Sequence, residues 1–260
     1  MSAGIALNKA WIKQSFATAA GSYDGVAGLQ RSVGNALLAD VQAFGTVLDL
    51  GCGTGFLTGK LRQSAQIEQL LALDIALPML EAAKNKLSHL DVAYLCADAE
   101  CLPLIDSCLD MVFSNLALQW CHNPQALFAD LQRVLKVDGK LLFSTFGPQT
   151  LQELKTSWAA VDSFSHVNDF YAPTKLQDFL QRAGFKDIGI SRQLVVSHYG
   201  SVLDLMKELK QLGAHHVMAG RNTKLTSKTQ LQQMFARYED FRSQGNIPAS
   251  FEVIFVTAGV

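Results

Sequence analysis

Short apolar runs alternate along this chain with stretches in which apolar residues recur at helical spacing. Thr46–Leu50 reads as a strand and Gly55–Gln63 as the helix that follows it. The alternation continues with strands at Gln69–Leu73, Val92–Cys96 and Leu109–Ser114, and with helices across Pro78–Leu87 and Pro124–Leu135. Proline early in the first of these helices suits a first helical turn. Asp138-Gly139 turns the chain into a strand at Lys140–Phe146. A helix over Thr174–Ala183 is predicted to stop at Gly184, a natural C-terminal cap, before strands at Asp187–Val196 and Phe251–Thr257. Strands this apolar, separated by helices, indicate a mostly parallel sheet covered on both faces.

Two segments stand outside the alternation. The first 40 residues look helical throughout. Ser201–Asn246 reads as two amphipathic helices, Val202–Leu212 and Ser227–Ser243, around a loop rich in Gly, His and Lys. Open α/β sheets bind ligands at the carboxyl ends of their strands, and both segments are placed to cover that edge. The expected organisation is a helical cap at 1–40, a core made of 41–200 and 247–260, and a helical lid inserted at 201–246.

The 260 residues are 49% hydrophobic and 17% charged, which suits one large α/β domain with a small appendage. A formal net charge of −1 argues against a surface built as a whole for nucleic acid. The five cysteines form no C-x-x-C pair and read as thiols in a reducing compartment. His122 beside Cys121 lacks partners at ligand spacing, so no metal site is expected. No signal peptide and no apolar run of roughly 18 residues is evident, and a soluble cytoplasmic protein away from membranes is expected.

Chemistry concentrates after the first strand. Asp49-Leu50-Gly51-Cys52-Gly53-Thr54-Gly55 places glycine at every second position of a strand-to-helix loop, where backbone can approach a ligand closely. The spacing is G-x-G-x-G, not the dinucleotide G-x-G-x-x-G, and Gly59-Lys60-Leu61 is no phosphate loop. A nucleoside ligand without pyrophosphate fits, and S-adenosylmethionine (SAM) is such a ligand; a tight turn with chance glycines is the plainer alternative.

Asp74 ends the second strand, 19 positions after Gly55, where a carboxylate can accept both ribose hydroxyls; the plainer role is a cap for the next helix. Asp98 follows the third strand and could accept an adenine amine, with the Ala99 backbone bonding a ring nitrogen; otherwise it is a turn aspartate. The backbone at Asn115–Leu116 leaves the fourth strand beside the glycine loop and would face the methionine end of the cofactor. Gln119 and Trp120 would face the acceptor, unless Trp120 is simply core. With Ile75 and Met79, these residues make up the candidate cofactor site.

Together the glycine loop, Asp74, Asp98 and the Asn115 segment resemble the class I SAM-dependent methyltransferases across roughly residues 40–200. That resemblance implies a Rossmann-like, seven-stranded sheet with an antiparallel last strand, and methyl transfer from a sulfonium. A narrower resemblance spans nearly the whole chain. Phe16-Ala17-Thr18-Ala19-Ala20-Gly21-Ser22-Tyr23-Asp24, Ser114-Asn115-Leu116-Ala117-Leu118-Gln119-Trp120 and Phe143-Ser144-Thr145-Phe146-Gly147 with Leu151 and Leu154 are similar to the malonyl-[acyl-carrier-protein] O-methyltransferase family of biotin synthesis. Leu209-Lys210-Gln211-Leu212-Gly213-Ala214, Gly220-Arg221 and Glu252-Val253-Ile254 match it as well. Thr18, where a basic residue is usual, and Lys210-Gln211-Leu212-Gly213 depart from the pattern in the lid rather than in the cofactor site. The family implies methylation of the free carboxylate of a malonyl thioester on acyl carrier protein, with S-adenosylhomocysteine as product; malonyl-CoA is a second possible acceptor.

A malonyl carboxylate is ionised near neutral pH and needs no general base. Proximity, alignment and water exclusion would then supply most of the catalysis. A buried anion still has to be paired, and Arg221 is the first candidate for that pairing, with Tyr23 the second. Each has a plainer role, as an exposed loop arginine or as helix packing. Lys207, Lys210, Arg221, Lys224 and Lys228, with His215 and His216, surround the single acid Glu208 and form a basic patch suited to an acidic carrier protein, or merely a solvated face. Methylation of another small acid or quinone precursor, and a SAM-binding assembly factor without transfer, are the competing readings.

Overall fold

Residues 8–39, 41–214 and 226–260 are described by the computed structural model of the chain. Three helices come first: α1 (Lys9–Ala19), α2 (Tyr23–Val26) and α3 (Gly28–Leu38). Then β1 (Gly45–Leu50), α4 (Phe56–Leu61), β2 (Ile67–Asp74), α5 (Leu77–Lys86), β3 (Ala93–Cys96), β4 (Leu109–Asn115), α6 (Pro124–Val134) and β5 (Leu135–Phe146) alternate as the apolar pattern predicts. The rest comprises α7 (Gln152–Ala159), α8 (Pro173–Ala183), β6 (Lys186–Tyr199), α9 (Val202–Gln211), α10 (Lys228–Tyr238) and β7 (Ile247–Gly259).

The strands form one seven-stranded sheet in the order β3-β2-β1-β4-β5-β7-β6. The first five run parallel, and β7 is antiparallel to both β5 and β6. This is the topology that the methyltransferase resemblance implies. Strand order reverses between β1 and β4, which opens a crevice at their carboxyl ends.

Alternate residues of the central strands serve two different cores. Leu48, Val112, Leu141 and Phe143 point to the layer that holds α6 and α8. Their neighbours Val47, Met111, Phe113 and Leu142 point to the layer with Leu57 and Leu61 of α4. Side chains alternate across a strand, so covering both faces makes every position apolar and gives the continuous runs read from the sequence. A third cluster joins Leu154 and Trp158 of α7, Val202 and Leu205 of α9, Met234 and Tyr238 of α10, and Ile247, Ala249 and Phe251 of β7. The helices between β6 and β7 therefore pack on the start of β7 and on α7, apart from the two main layers.

Three features depart from the expected pattern. Asp138-Gly139 lies inside β5, where the pairing with β4 slips and Asp138 takes φ +64°, so the turn chemistry makes a bulge instead of preceding the strand. β6 and β7 run several residues longer than expected, because each satisfies the other's backbone as far as Tyr199–Ile247. Helix α7 is an addition.

Candidate active site

The glycine loop is shaped by the end of the neighbouring strand. The backbone N–H groups of Gly51 and Cys52 both donate to the carbonyl of Leu73, at 2.7 and 2.9 Å. Gly51 takes φ +75°, and a Cβ there would lie 2.3 Å from the Cβ of Ala117. Gly55 caps α4 at φ +82°, and its missing Cβ lets Leu87 and Ala83 approach to about 3 Å. Gly51 therefore keeps the loop against the β4 crossover, whereas Gly55 serves the packing of α4 against α5 and does not line the crevice. Gly51→Ala adds left-handed strain and a clash, and is expected to lower unfolding stability by about 2 kcal/mol in denaturant titration; no measurable loss would mean that the loop relaxes freely.

Asp74 is held from two sides. Its Oδ2 accepts the N–H of Gly53 at 2.9 Å and its Oδ1 that of Ala76 at 2.8 Å. It is 8% exposed. Burial pushes its carboxyl above the usual range, and the backbone N–H groups of Ala76, Gly53 and Ile75 only partly oppose this. Ala76, not Asp74, is the N-cap of α5. Each oxygen spends one lone pair on the backbone, and the remaining acceptor capacity adjoins the crevice that Asp74 lines. Asp49, by contrast, sits behind the loop at 1% exposure, where it accepts the Thr58 hydroxyl. Its carboxyl is raised to about 7, first by burial, against the Thr58 hydrogen bond and with the negative Asp74 adding to the rise.

The crevice is a cleft of about 770 Å³ including its open mouth, a size suited to a small ligand. Gly51, Gly53, Asp74, Ile75, Met79, Asp98, Ala99, Asn115, Leu116, Tyr23 and Trp120 all line it. Gln119 does not; it braces the crossover, its Nε2 donating to the Leu116 carbonyl at 2.7 Å and its Oε1 accepting from Thr145 at 3.3 Å. Trp120 meets Phe16 of α1 edge-on, with centroids 5.5 Å apart. The Asn115 side chain is spent on structure, donating to the Gln30 carbonyl and accepting from Ser144. Leu116 takes φ +49° where the chain leaves β4, a strained conformation typical of sites. Arg221, His215, His216, Lys224 and Gly220 lie outside the described residues.

Helix α1 contributes a residue that the sequence reading passes over. Lys9, Ile12 and Phe16, spaced i, i+3 and i+7, turn one face of α1 into the cleft. The Lys9 ammonium bonds both Asp98 and Glu100. Burial draws its pKa down, but these two carboxylates outweigh burial and raise it. Glu100 is lowered in turn: burial opposes the change, and Lys9 with the N–H groups of Asn123 and His122 overcomes it. One oxygen of Asp98 thus already faces a cation, while its Oδ1 accepts the Glu100 N–H at 2.9 Å. Tyr23 closes the opposite side, within 4.0 Å of where a Gly53 Cβ would sit. Burial, then Asp74 and Asp24, push its phenol well above the usual value and keep it neutral. Among the described residues no cluster suited to a metal occurs, and no helix is long and apolar enough to cross a membrane.

Comparison with known proteins places this geometry in a family. A model described as a methyltransferase domain matches residues 48–143, from β1 to β5. The fold is shared with the YcgJ protein from Bacillus subtilis, with a TM-score of 0.63 and 16% identity over 88% of this chain and 97% of that one. The chain is 41% identical over 255 residues to the biotin biosynthesis bifunctional protein BioHC of Cellvibrio japonicus (strain Ueda107), covering 96% of this chain and 50% of that protein. It therefore spans about half the length of that relative. It is also 39% identical over 261 residues to the malonyl-[acyl-carrier protein] O-methyltransferase of Laribacter hongkongensis (strain HLHK9), covering 95% of this chain and 88% of that one. With 39% identity over 95% of this chain and 88% of that relative, the chain belongs to the malonyl-[acyl-carrier protein] O-methyltransferase family.

Proposed function

We propose that the chain is a SAM-dependent carboxyl O-methyltransferase that esterifies the free carboxylate of a malonyl thioester on acyl carrier protein, the first step towards a pimeloyl chain for biotin. What carries this reading is that the identity to a relative of that name covers 95% of the chain and 88% of that relative. The cleft suits the cofactor in kind: a backbone-anchored carboxylate at Asp74, a close backbone approach at Gly51, and the apolar walls of Ile75 and Met79. When bound, SAM supplies a methyl carbon on a positively charged sulfur.

Asp74 would accept the ribose hydroxyls, and Asp98 with Ala99 would meet the adenine edge. Asn115 and Leu116 would set the backbone of the methionine side, with Asp49 and Gly55 supporting the loop from behind. Tyr23 and Trp120, half-buried beside Gly53 and Phe16, would exclude water from the reacting groups, and Gln119 would hold the crossover that carries Trp120. No side chain has to remove a proton, because the acceptor is already an anion. The natural organisation is a cap at 1–40, a catalytic core at 41–200 and 247–260, and a lid at 201–246. Arg221 remains the candidate partner for the substrate carboxylate. Lys207, Lys210 and Lys228 are exposed, while Glu208 accepts the Tyr199 hydroxyl at 2.8 Å. The lysines are thus presented to an acidic carrier protein.

The test is turnover. Purified protein, SAM and malonyl-carrier protein are expected to yield S-adenosylhomocysteine together with a carrier whose mass has risen by one methylene. Malonyl-CoA should react more slowly and free malonate not at all. Turnover of free acids in preference to the thioester would replace the malonyl reading by the small-acid one, and no release of S-adenosylhomocysteine would leave only a binding role.

A further inference from the structure

The chain leaves β4 in a conformation that leucine avoids. Leu116 takes φ +49°, in the left-handed region, although it is buried and lines the cleft. A bulky residue persists there only where its surroundings over-determine it. Its side chain packs with Val33 and Val253. Each of its backbone groups meets a side chain. The Leu116 N–H is shared between the hydroxyl and the carbonyl of Ser144, at 3.0 and 3.1 Å. The Leu116 carbonyl accepts Gln119 Nε2 at 2.7 Å, and Gln119 Oε1 is fixed in turn by the Thr145 hydroxyl at 3.3 Å.

Ser144 is fully buried near the end of β5, where an unsatisfied hydroxyl would be costly. The hydroxyl accepts from Leu116, and its single proton is donated to Asn115 Oδ1 at 2.8 Å. Asn115 Nδ2 is thereby turned the other way, where it donates to the Gln30 carbonyl of α3 at 2.9 Å. A Cβ on Gly34, one turn further along α3, would lie 3.2 Å from that same nitrogen, so α3 rides close on the Asn115 amide. One hydroxyl therefore orders a directional chain of hydrogen bonds from the strained crossover to the cap.

We propose that Ser144 is a positioning residue for the transfer step: by locking the Leu116 peptide it sets the single turn Leu118–Trp120, and with it the Trp120 wall that the acceptor meets. Ser144 itself does not line the cleft and acts through Leu116. In a displacement without a general base, alignment supplies much of the rate, and a misplacement of about 1 Å costs about 100-fold. The inference rests on the methyl-transfer reading above and adds which buried residue aims the acceptor side of the site. It also accounts for a serine at a position where the strand itself needs only a small residue. In Ser144→Ala the carbonyl of residue 144 still accepts the Leu116 N–H, so the sheet is retained while the lock is lost.

Steady-state turnover of malonyl-carrier protein by the full chain, beside calorimetric binding of S-adenosylhomocysteine and a thermal melt, tests it. In Ser144→Ala kcat should fall about 10- to 100-fold, while the Kd for S-adenosylhomocysteine and the KM for malonyl-carrier protein stay within about threefold. Gln119→Leu frees the same peptide at its carbonyl and should lose a similar factor. The double variant should lose little more than either single one, because residues that act as a unit are not additive. If Ser144→Ala does not fold, Gln119→Leu, on a half-buried residue, carries the same expectation by itself. An unchanged kcat in a folded variant, a loss that falls on S-adenosylhomocysteine affinity instead of kcat, or single losses that multiply in the double variant overturn the positioning role and leave the methyl-transfer reading standing. If the unchanged protein does not turn over malonyl-carrier protein, that reading fails and the positioning role with it.

Discussion

Asp74→Ala is expected to weaken binding of S-adenosylhomocysteine by at least about 100-fold while the protein stays folded. Each hydrogen bond to a charged acceptor contributes about 1.5–3 kcal/mol, and two ribose hydroxyls on one carboxylate make about 100-fold the lower bound. The pre-set geometry strengthens the expectation, because the N–H groups of Gly53 and Ala76 fix the carboxylate before any ligand arrives. Stability should change far less than binding. Removing Asp74 leaves those two N–H groups short of an acceptor, but it also removes a carboxylate whose raised pKa shows that its charge is costly to bury. Titration calorimetry beside a thermal melt separates the two effects. Asp74→Asn serves as a second variant if the alanine variant melts early. Affinity within about threefold of the unchanged protein in a folded variant would remove Asp74 from the cofactor site.

Asp49 should make the protein less stable as pH rises, opposite to the usual behaviour of a carboxylate. In the folded chain its carboxyl holds a proton up to about pH 7, whereas the unfolded value is 3.8. Between those values the native state binds more protons than the unfolded state. Stability from this group is therefore fully present below pH 3.8, falls as pH rises through the interval, and is lost above about 7. Asp24, Glu100 and Asp110 are held below their ordinary values and act in the reverse sense, losing stability in acid. A comparison with Asp49→Asn isolates the one group, since an amide oxygen can still accept the Thr58 hydroxyl. The stability of the variant relative to the unchanged protein is expected to rise by about 3 kcal/mol between pH 5 and pH 8. A difference that stays flat across that range would show Asp49 to be ionised throughout.

Much of the fold was legible because it rests on local periodicity. The central strands between Thr46 and Phe146 could be read from their own residues, since burial on both faces demands largely apolar runs. Helix α7 was not legible in the same way. It starts from Leu151 at φ +53°, whose N–H donates to the Ser250 carbonyl at 2.6 Å, and its Glu153 carboxylate accepts the Ser250 N–H at 3.0 Å. A helix started by a strand about 100 residues away carries little local signal. The bulge at Asp138 was visible as turn chemistry, but only pairing with β4 makes it part of a strand.

The candidate site divides along the same line. Gly51, Gly53 and Asp74 were recognisable by spacing, because a loop that approaches a ligand and an acid at the next strand end are both fixed by short segments. Lys9 was not, since a single lysine in a short helix reads as solvated, and only folding carries it 89 positions along the chain to Asp98.

The sequence by itself determined the order of the core strands and the helices between them from β1 to β5, the glycine loop, the acid that faces it and the family to which the chain belongs. Those features depend on residues close together in the chain, where steric and burial preferences act directly. Only the tertiary structure decided which polar atoms remain able to bind. It spends the Asn115 amide on Gln30 and Ser144, turns one oxygen of Asp98 towards Lys9, and leaves the Gln30 Oε1 buried without a partner among the described residues. Desolvation and hydrogen-bond satisfaction are set by neighbours from distant parts of the chain, so they come into being only when those parts meet.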